Sequence, residues 1–177
     1  MADLIPQLRD RAIIGVMTYT SARVSAACGL DVGDYFRAGH RWKIRLHEKG
    51  GQRRTVPAHH KAKEYLDGYI NEVGIVEDRG AALFQSLKGR TGDLTGKRLQ
   101  ADNVLQMVKR RAEEAGFDPA QVSWHTFRAT GITTYLTGGG DLETAQHIAT
   151  CASANTTRIY DHRDERVEQE EIERVRI

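Results

Sequence analysis

Two segments near the C-terminal end of the chain hold residues whose types and spacing could do chemistry. His125 and Arg128 are three positions apart, so both would lie on one face of a helix. Tyr160 follows Ile159 and stands just before a charged tail. A guanidinium clamps anionic oxygens, an imidazole accepts a proton near neutral pH, and a tyrosine oxygen attacks once its proton is removed. These residue types together suit chemistry at an anionic group.

Other common catalytic motifs are absent from the 177 residues. The sequence has no Gly-x-Ser-x-Gly, no phosphate loop, no Gly-x-Gly-x-x-Gly and no His-Glu-x-x-His. It also lacks a dense carboxylate cluster of the kind that a two-metal nuclease needs. The histidine–arginine and tyrosine segments therefore remain the main candidates.

The composition is that of a globular protein, with 40% hydrophobic and 28% charged residues. No apolar run approaches the length of a membrane span, and the first residues lack the pattern of a signal peptide. Cys28 and Cys151 form neither a metal-ligand spacing nor a disulfide framework. We therefore expect a cytoplasmic protein in a reducing compartment.

The distribution of charge is more informative than the formal net charge of +2. Acidic residues gather after Asp161, whereas basic residues cluster over residues 37–63 and 88–111. A basic body of this kind could follow the phosphate backbone of DNA. Charge alone supports equally well the alternative that these clusters are solvated helix faces.

The apolar periodicity predicts a mainly α fold with a small antiparallel β-sheet (α+β), in one domain over residues 1–177. Trp42–Leu46 and Arg54–Val56 alternate as strands, and the glycines of Lys49-Gly50-Gly51 supply the hairpin turn between them. Leu83–Phe84 is expected to form a brief strand. Helices are expected over residues 4–18, 22–28, 58–73, 101–115, 123–136 and 141–149, and in a tail at about 161–177.

Four segments, taken in order and spacing, carry a family resemblance. They are Ala22-Arg23-Val24-Ser25, the hairpin Glu48-Lys49-Gly50-Gly51-Gln52-Arg53-Arg54-Thr55-Val56-Pro57, His125-Thr126-Phe127-Arg128, and Ala154-Asn155-Thr156-Thr157-Arg158-Ile159-Tyr160. Any one of them is a weak signal. The four in register resemble the phage-integrase family of tyrosine recombinases over nearly the whole chain.

The resemblance implies the catalytic-domain fold of that family and a role for this chain as a site-specific recombinase. Such enzymes cleave and rejoin DNA through a covalent bond between the nucleophile, here Tyr160, and a 3′-phosphate. Arg23 and Arg128 would clamp the non-bridging oxygens of the scissile phosphate. His125 would accept the tyrosine proton, and Lys49 would protonate the departing 5′ oxygen.

The resemblance also bears on cofactors and partners. It implies neither a cofactor nor a metal, because the two arginines would stabilise the charge that metal ions stabilise in nucleases. It implies double-stranded DNA as the partner and a homo-oligomer, a tetrameric synapse joined through the C-terminal tail.

The sequence departs from the family pattern in three respects. Cys151 stands where the family usually has a histidine or tryptophan, and a thiol is a poor hydrogen-bond donor. Ala26 stands where an acidic residue often follows the first arginine. Only about twenty residues precede Arg23. We therefore expect the N-terminal core-binding domain to be absent.

Each candidate residue also has an ordinary structural interpretation. Arg23 could be an ion-pair partner, Lys49 a solvated turn residue, and His125 a core histidine. Arg128 could bridge within its helix, and Tyr160 could be a core aromatic. Two other functions therefore stay open: a catalytically weak or dead DNA-binding or regulatory relative, and an enzyme similar to type IB topoisomerases.

Overall fold

The computed structural model describes residues 4–89, 92–123 and 125–149. Its helices are α1 (Leu4–Thr20), α2 (Val24–Cys28), α3 (His60–Val73), α4 (Ala101–Glu114), α5 (Thr126–Thr137) and α6 (Leu142–Ala149). Its strands are β1 (Tyr35–Ala38), β2 (Arg41–His47), β3 (Arg53–Pro57), β4 (Gln85–Leu87) and β5 (Leu94–Arg98). The predicted mainly α fold with antiparallel β-structure is confirmed. Among the residues that the structure describes, no helix has the length and apolar character to cross a membrane.

Helix α1 is the centre of the packing. Its apolar residues recur at helical spacing, so Ile13, Val16 and Met17 form one buried stripe. Helix α1 as a whole packs mainly against α3 and α5. Gly15 allows the close approach of α3, because a Cβ atom there would lie 2.8 Å from Cδ2 of Tyr65.

The predicted hairpin is the core of a three-stranded antiparallel sheet with the order β1-β2-β3. Ile44 and Leu46 alternate with more exposed residues along β2 and are fully buried against the helices. Gly50 and Gly51 have φ values of +79° and +75°, a left-handed conformation that glycine adopts without strain. The sequence therefore placed this turn correctly, although it did not indicate β1.

The prediction of one small sheet is wrong, because β4 and β5 form a second antiparallel pair. Leu83 and Phe84, predicted as a brief strand, lie just before β4 and are fully buried. At the end of β5, Arg98 donates hydrogen bonds from Nη1 to the carbonyl oxygens of Cys28 and Leu30, each at 2.9 Å. These bonds attach the second sheet to the end of α2.

Ser123 is predicted as the N-cap of α5, and the helix begins two residues later than this predicts. The hydroxyl of Ser123 accepts a hydrogen bond from the backbone N–H of His125 at 3.3 Å, and Oγ1 of Thr126 accepts one from the N–H of Ser123 at 2.9 Å. These local bonds form a turn ahead of the helix. His125 is consequently the residue at the N-cap position, and its carbonyl accepts the N–H of Ala129 at 2.8 Å.

A buried ion-pair network joins α1 to α4. Asp10 is buried, with its side chain only 2% exposed. Its Oδ1 accepts a hydrogen bond from Nη2 of Arg9 at 2.6 Å, and its Oδ2 accepts one from Nη2 of Arg111 at 2.9 Å. Nη2 of Arg110 lies 3.6 Å from the same Oδ2, so three arginines compensate the cost of burying this carboxylate.

Candidate active site

The turn that follows α1 brings together segments distant in the sequence. Ser21 is buried and has a φ of +51°, an uncommon conformation for a residue other than glycine and one that is often retained at functional sites. The carbonyl of Thr20 accepts a hydrogen bond from Nη2 of Arg54 at 3.1 Å. The carbonyl of Ser21 accepts one from Nη1 of Arg128 at 3.0 Å. Arg23 lies two residues further along, so three guanidiniums belong to this turn.

A buried carboxylate connects two of these arginines. The side chain of Glu48 is only 2% exposed, and its Oε2 accepts a hydrogen bond from Nη1 of Arg23 at 2.9 Å. Its Oε1 accepts one from Nη2 of Arg54 at 3.3 Å. A carboxylate is costly to bury unless it is paired and hydrogen-bonded, and both oxygens of Glu48 are. Arg23 is thus an ion-pair partner, as its structural interpretation expected, but the pair lies at the turn that also binds Arg128.

The pKa of Arg54 reflects its burial and the charges of the residues around it. Burial is the main cause that lowers its pKa from the ordinary arginine value, and the positive charges of Arg128 and Arg23 lower it further, whereas Glu48 opposes the shift. Nε and Nη1 of Arg54 are buried without a hydrogen-bond partner among the described residues. Three guanidiniums with one carboxylate leave an excess of positive charge, which suits the binding of an anion such as a phosphate.

The other candidates lie at the edges of this cluster. His125 is exposed and comes three residues before the buried Arg128, so its interpretation as a core histidine is wrong. Lys49 begins the short 3₁₀ turn directly after Glu48, and the N–H of Glu48 donates to the carbonyl of Gln52 at 2.7 Å to close this turn. Cys151 and Tyr160 lie outside the described residues.

Glu48 and Arg54 are the members of the cluster that sequence reasoning missed. A signal for Glu48 was present, because it continues the alternation of the buried residues Ile44 and Leu46 and so falls on the core face of the hairpin. A carboxylate on a core face requires a cationic partner. The hairpin register pairs Leu46 with Arg54, which brings that partner close to Glu48.

Gly131 allows α5 to reach the turn that follows α1. A Cβ atom at this position would lie 2.3 Å from the carbonyl oxygen of Thr18 and 2.9 Å from Oγ of Ser21. Both atoms belong to the region that binds Arg128, which lies nearly one turn earlier in α5. The absence of a side chain at residue 131 therefore sets the distance between Arg128 and the Ser21 carbonyl.

Gly131→Ala is expected to destabilise the protein by about 1–3 kcal/mol, because the new methyl group forces backbone to move. Urea unfolding of the purified protein measures this change. Gly68→Ala is the matched control, since a Cβ atom there would contact only Cδ2 of Leu8 at 3.9 Å. This control should be neutral or slightly stabilising, because alanine is the better helix former. Equal stability of the two variants would contradict the close packing at Gly131.

Comparison with solved structures identifies the class of fold. The structure is similar to the XerA recombinase, with a TM-score of 0.71 and 25% identity over 98% of this chain and 60% of that one. It is also similar in fold to the XerH site-specific recombinase bound to its difH substrate, with a TM-score of 0.69 and 22% identity over 89% of this chain and 44% of that one. The fold is that of tyrosine recombinase catalytic domains.

The sequence comparison leads to the family. Residues 3–166 match the model of the phage integrase family. Tyrosine recombinase XerC of Corynebacterium efficiens is 34% identical over 157 residues, which cover 87% of this chain and 46% of that protein. Tyrosine recombinase XerD of Bifidobacterium longum is 33% identical over 156 residues, which cover 88% of this chain and 50% of that protein. The chain belongs to the phage integrase family, and it spans about half the length of these relatives.

The described residues also bear on metal binding. Within them, no group of three or more histidine, cysteine, aspartate or glutamate side chains could hold a metal ion.

Proposed function

We propose that this chain is the catalytic domain of a site-specific DNA recombinase that cleaves and rejoins DNA strands through a 3′-phosphotyrosine on Tyr160. The observation that carries the proposal is the convergence of Arg23 and Arg128 at the turn after α1, where Arg54 adds a third positive charge. Membership of the phage integrase family supports the same activity.

In the proposed cleavage step, the Tyr160 oxygen attacks the scissile phosphorus, and the bond from phosphorus to the 5′ oxygen breaks. The unperturbed pKa of a tyrosine is about 10, so Tyr160 requires both a positive field and a proton acceptor. Arg23 and Arg128 supply the field and bind the two non-bridging oxygens. His125, exposed at the start of α5, accepts the tyrosine proton.

The departing 5′ oxygen requires a proton, and Lys49 is the proposed donor. The hairpin turn places the backbone of Lys49 directly after Glu48, whose carboxylate binds Arg23. Rejoining reverses these steps, with the 5′ hydroxyl as the attacking group. The phosphotyrosine conserves the energy of the broken bond, so rejoining requires no nucleotide triphosphate.

The proposed partner is double-stranded DNA, bound within a tetrameric synapse of identical chains. One of the structures similar in fold is a lambda integrase dimer bound to a core DNA site, with a TM-score of 0.63. The contacts between subunits are assigned to the tail, which carries apolar residues at positions 167, 172, 175 and 177. A location in the bacterial cytosol or nucleoid follows from this role and stays a prediction.

A covalent-trapping experiment tests the proposed function. The chain is incubated at low salt, which favours contacts to phosphate, with duplexes that carry a nick and a randomised sequence around it. The nick allows the short strand beyond the cleavage point to diffuse away, so the adduct accumulates. We expect protein–DNA adducts that survive detergent, enriched in one sequence, with the DNA attached to the peptide of Tyr160. DNA binding without any adduct would favour the catalytically dead relative instead.

Cys151 is the observation that favours a weakened enzyme as the second candidate. A thiol at a position that usually holds a histidine or tryptophan would donate poorly to the phosphate or to Tyr160. We expect slow cleavage rather than none, because the sequence keeps every other catalytic candidate: Arg23, Lys49, His125, Arg128 and Tyr160. One weakened transition-state donor typically costs a few kcal/mol at most.

Cys151→His is therefore expected to raise the rate of single-turnover cleavage by about tenfold, because imidazole is the stronger hydrogen-bond donor. Cys151→Ala should change the rate little, and it serves as the control for loss of the thiol. His147→Ala tests whether the exposed His147, four positions before Cys151 in the sequence, acts as a substitute. A lower rate for the histidine variant, together with complete loss for the alanine variant, would assign the thiol a positive role.

A further inference from the structure

Glu48 occupies an unusual place for a carboxylate. It follows the last residue of β2, on the buried face of the hairpin, and its side chain is almost completely enclosed. Its backbone N–H closes the turn by donating to the Gln52 carbonyl at 2.7 Å. The residue that fixes the turn therefore also extends its side chain towards Arg23.

The two arginines bound to Glu48 differ in their surroundings. The side chain of Arg54 is only 14% exposed. It forms an ion pair with Glu48 and also donates a hydrogen bond to the Thr20 carbonyl, which fixes its position. The side chain of Arg23 is 41% exposed, and among the described residues Glu48 is the hydrogen-bond partner of its guanidinium. Glu48 thus links an internal, anchored arginine to an arginine that reaches solvent.

Helix α2, which follows Arg23, brings no carboxylate of its own to this arginine. Its five residues are Val24, Ser25, Ala26, Ala27 and Cys28, all uncharged. An arginine side chain that reaches solvent has many rotamers, and holding it in one geometry requires a partner. In this protein that partner comes from the hairpin.

We propose that Glu48 is a positioning residue that acts on the scissile phosphate through Arg23. Its carboxylate holds Nη1 of Arg23, fixes the plane of the guanidinium, and directs the remaining donors towards the phosphate. Because the backbone of Glu48 also closes the hairpin turn, the same residue sets the position of Lys49 relative to Arg23. This inference rests on the proposed function, which makes Arg23 a phosphate ligand.

A role in positioning differs in its effects from a role in charge balance. If Glu48 only moderated the positive charge, Glu48→Gln would strengthen DNA binding and would not slow cleavage. If Glu48 positions Arg23, the glutamine variant binds DNA at least as tightly as the wild type but cleaves more slowly. A small misplacement of a catalytic group can cost on the order of a hundredfold in rate, so we expect a fall in single-turnover cleavage of about ten- to a hundredfold.

The matched control is Asp10→Asn. Asp10 is also a carboxylate whose side chain is 2% exposed, and it forms ion pairs with Arg9, Arg110 and Arg111. It lies ten residues before the end of α1, a distance of about 15 Å along the helix. Asp10→Asn should lower stability as Glu48→Gln does, and should leave the cleavage rate of the folded protein unchanged.

The experiment combines Glu48→Gln and Arg23→Lys in a double-mutant cycle, using the nicked duplexes and a temperature at which each variant is folded. If Glu48 acts through Arg23, the double variant loses little more than Arg23→Lys alone. Rate losses that simply multiply would overturn the proposal, as would wild-type cleavage by Glu48→Gln. Should the glutamine variant fail to fold, Glu48→Asp replaces it: the carboxylate remains but is too short to span both arginines, and a partial loss of rate is expected.

A second measurement separates this inference from the proposed function. Nitrogen NMR of the wild type should detect slow rotation of the Arg23 guanidinium, with the signal assigned by its disappearance in Arg23→Lys. Glu48→Gln should make that rotation fast. Unchanged rotation would overturn the positioning role even in an active enzyme. If the wild type forms no DNA adduct, the proposed function fails, and the NMR result still decides whether Glu48 holds Arg23.

Discussion

Tyr160→Phe is expected to abolish covalent attachment to DNA while leaving the fold and the affinity for DNA unchanged. The substitution removes a single oxygen, the atom that would attack the phosphorus, and a phenyl ring offers no replacement nucleophile. The measurement is the yield of detergent-stable adduct on the nicked duplexes, with DNA binding followed in parallel by fluorescence anisotropy. The expected adduct yield is zero within detection.

Tyr35→Phe is the matched control for this prediction. The Tyr35 hydroxyl donates a hydrogen bond to Oδ1 of Asp67, a residue of α3, at 2.8 Å. Its loss should cost about 1 kcal/mol of stability and leave the adduct yield intact. A phenylalanine variant at residue 160 that still forms the adduct would mean that another residue is the nucleophile, and mapping of the DNA-bound peptide would identify it.

The elements that the sequence predicted well are those with strong local patterns. Helix α1 shows apolar residues at helical spacing, and the hairpin combines alternation with the glycines at positions 50 and 51. Strand β5 shows no such pattern, because Thr95, Gly96 and Lys97 are all exposed. It pairs with β4, and Arg98 at its end donates hydrogen bonds to carbonyl groups about seventy residues earlier in the chain. Bonds between residues so far apart leave no local periodicity to read.

In the candidate site, too, the residues that the sequence indicated differ from those that depend on contacts between distant parts of the chain. The family resemblance selected Arg23 and Arg128 from the residues around them. It did not indicate that Arg128 would donate to the Ser21 carbonyl, which is 107 positions away. Nor did it indicate Glu48, whose role depends on the register of β2 and β3 and on the turn between them. The residues with proposed chemistry were thus visible in the sequence, whereas those that hold them in place required the structure.

The start of α5 illustrates a different cause of error. Ser123 is a good N-cap residue by type, and the sequence therefore predicted a helix that begins directly after it. In the structure its hydroxyl binds the N–H of His125 within a turn, and the helix begins at Thr126. As a result His125 is exposed at the helix terminus while Arg128 is buried, so the two residues differ in environment despite their spacing of three.

Arg23→Lys and Arg128→Lys are each expected to lower single-turnover cleavage by on the order of a hundredfold, or about 2.7 kcal/mol of transition-state stabilisation. Lysine keeps the positive charge but loses the planar fork that binds two oxygens at once. The affinity for DNA should therefore change little. Arg128→Lys should also cost about 1 kcal/mol of stability, because the bond from Nη1 to the Ser21 carbonyl is lost.

The control for these variants is Arg111→Lys, which also removes a guanidinium from a buried carboxylate. Arg111 donates from Nε and Nη2 to Oδ2 of Asp10, at 3.1 and 2.9 Å, and Asp10 lies ten residues before the end of α1. This variant should lose stability and keep its cleavage rate, which separates the loss of an ion pair from the loss of a phosphate ligand. If Arg23→Lys cleaves at a nearly normal rate while Arg128→Lys does not, the role of Arg23 is confined to its ion pair with Glu48. Arg128 would then be the phosphate ligand at this turn.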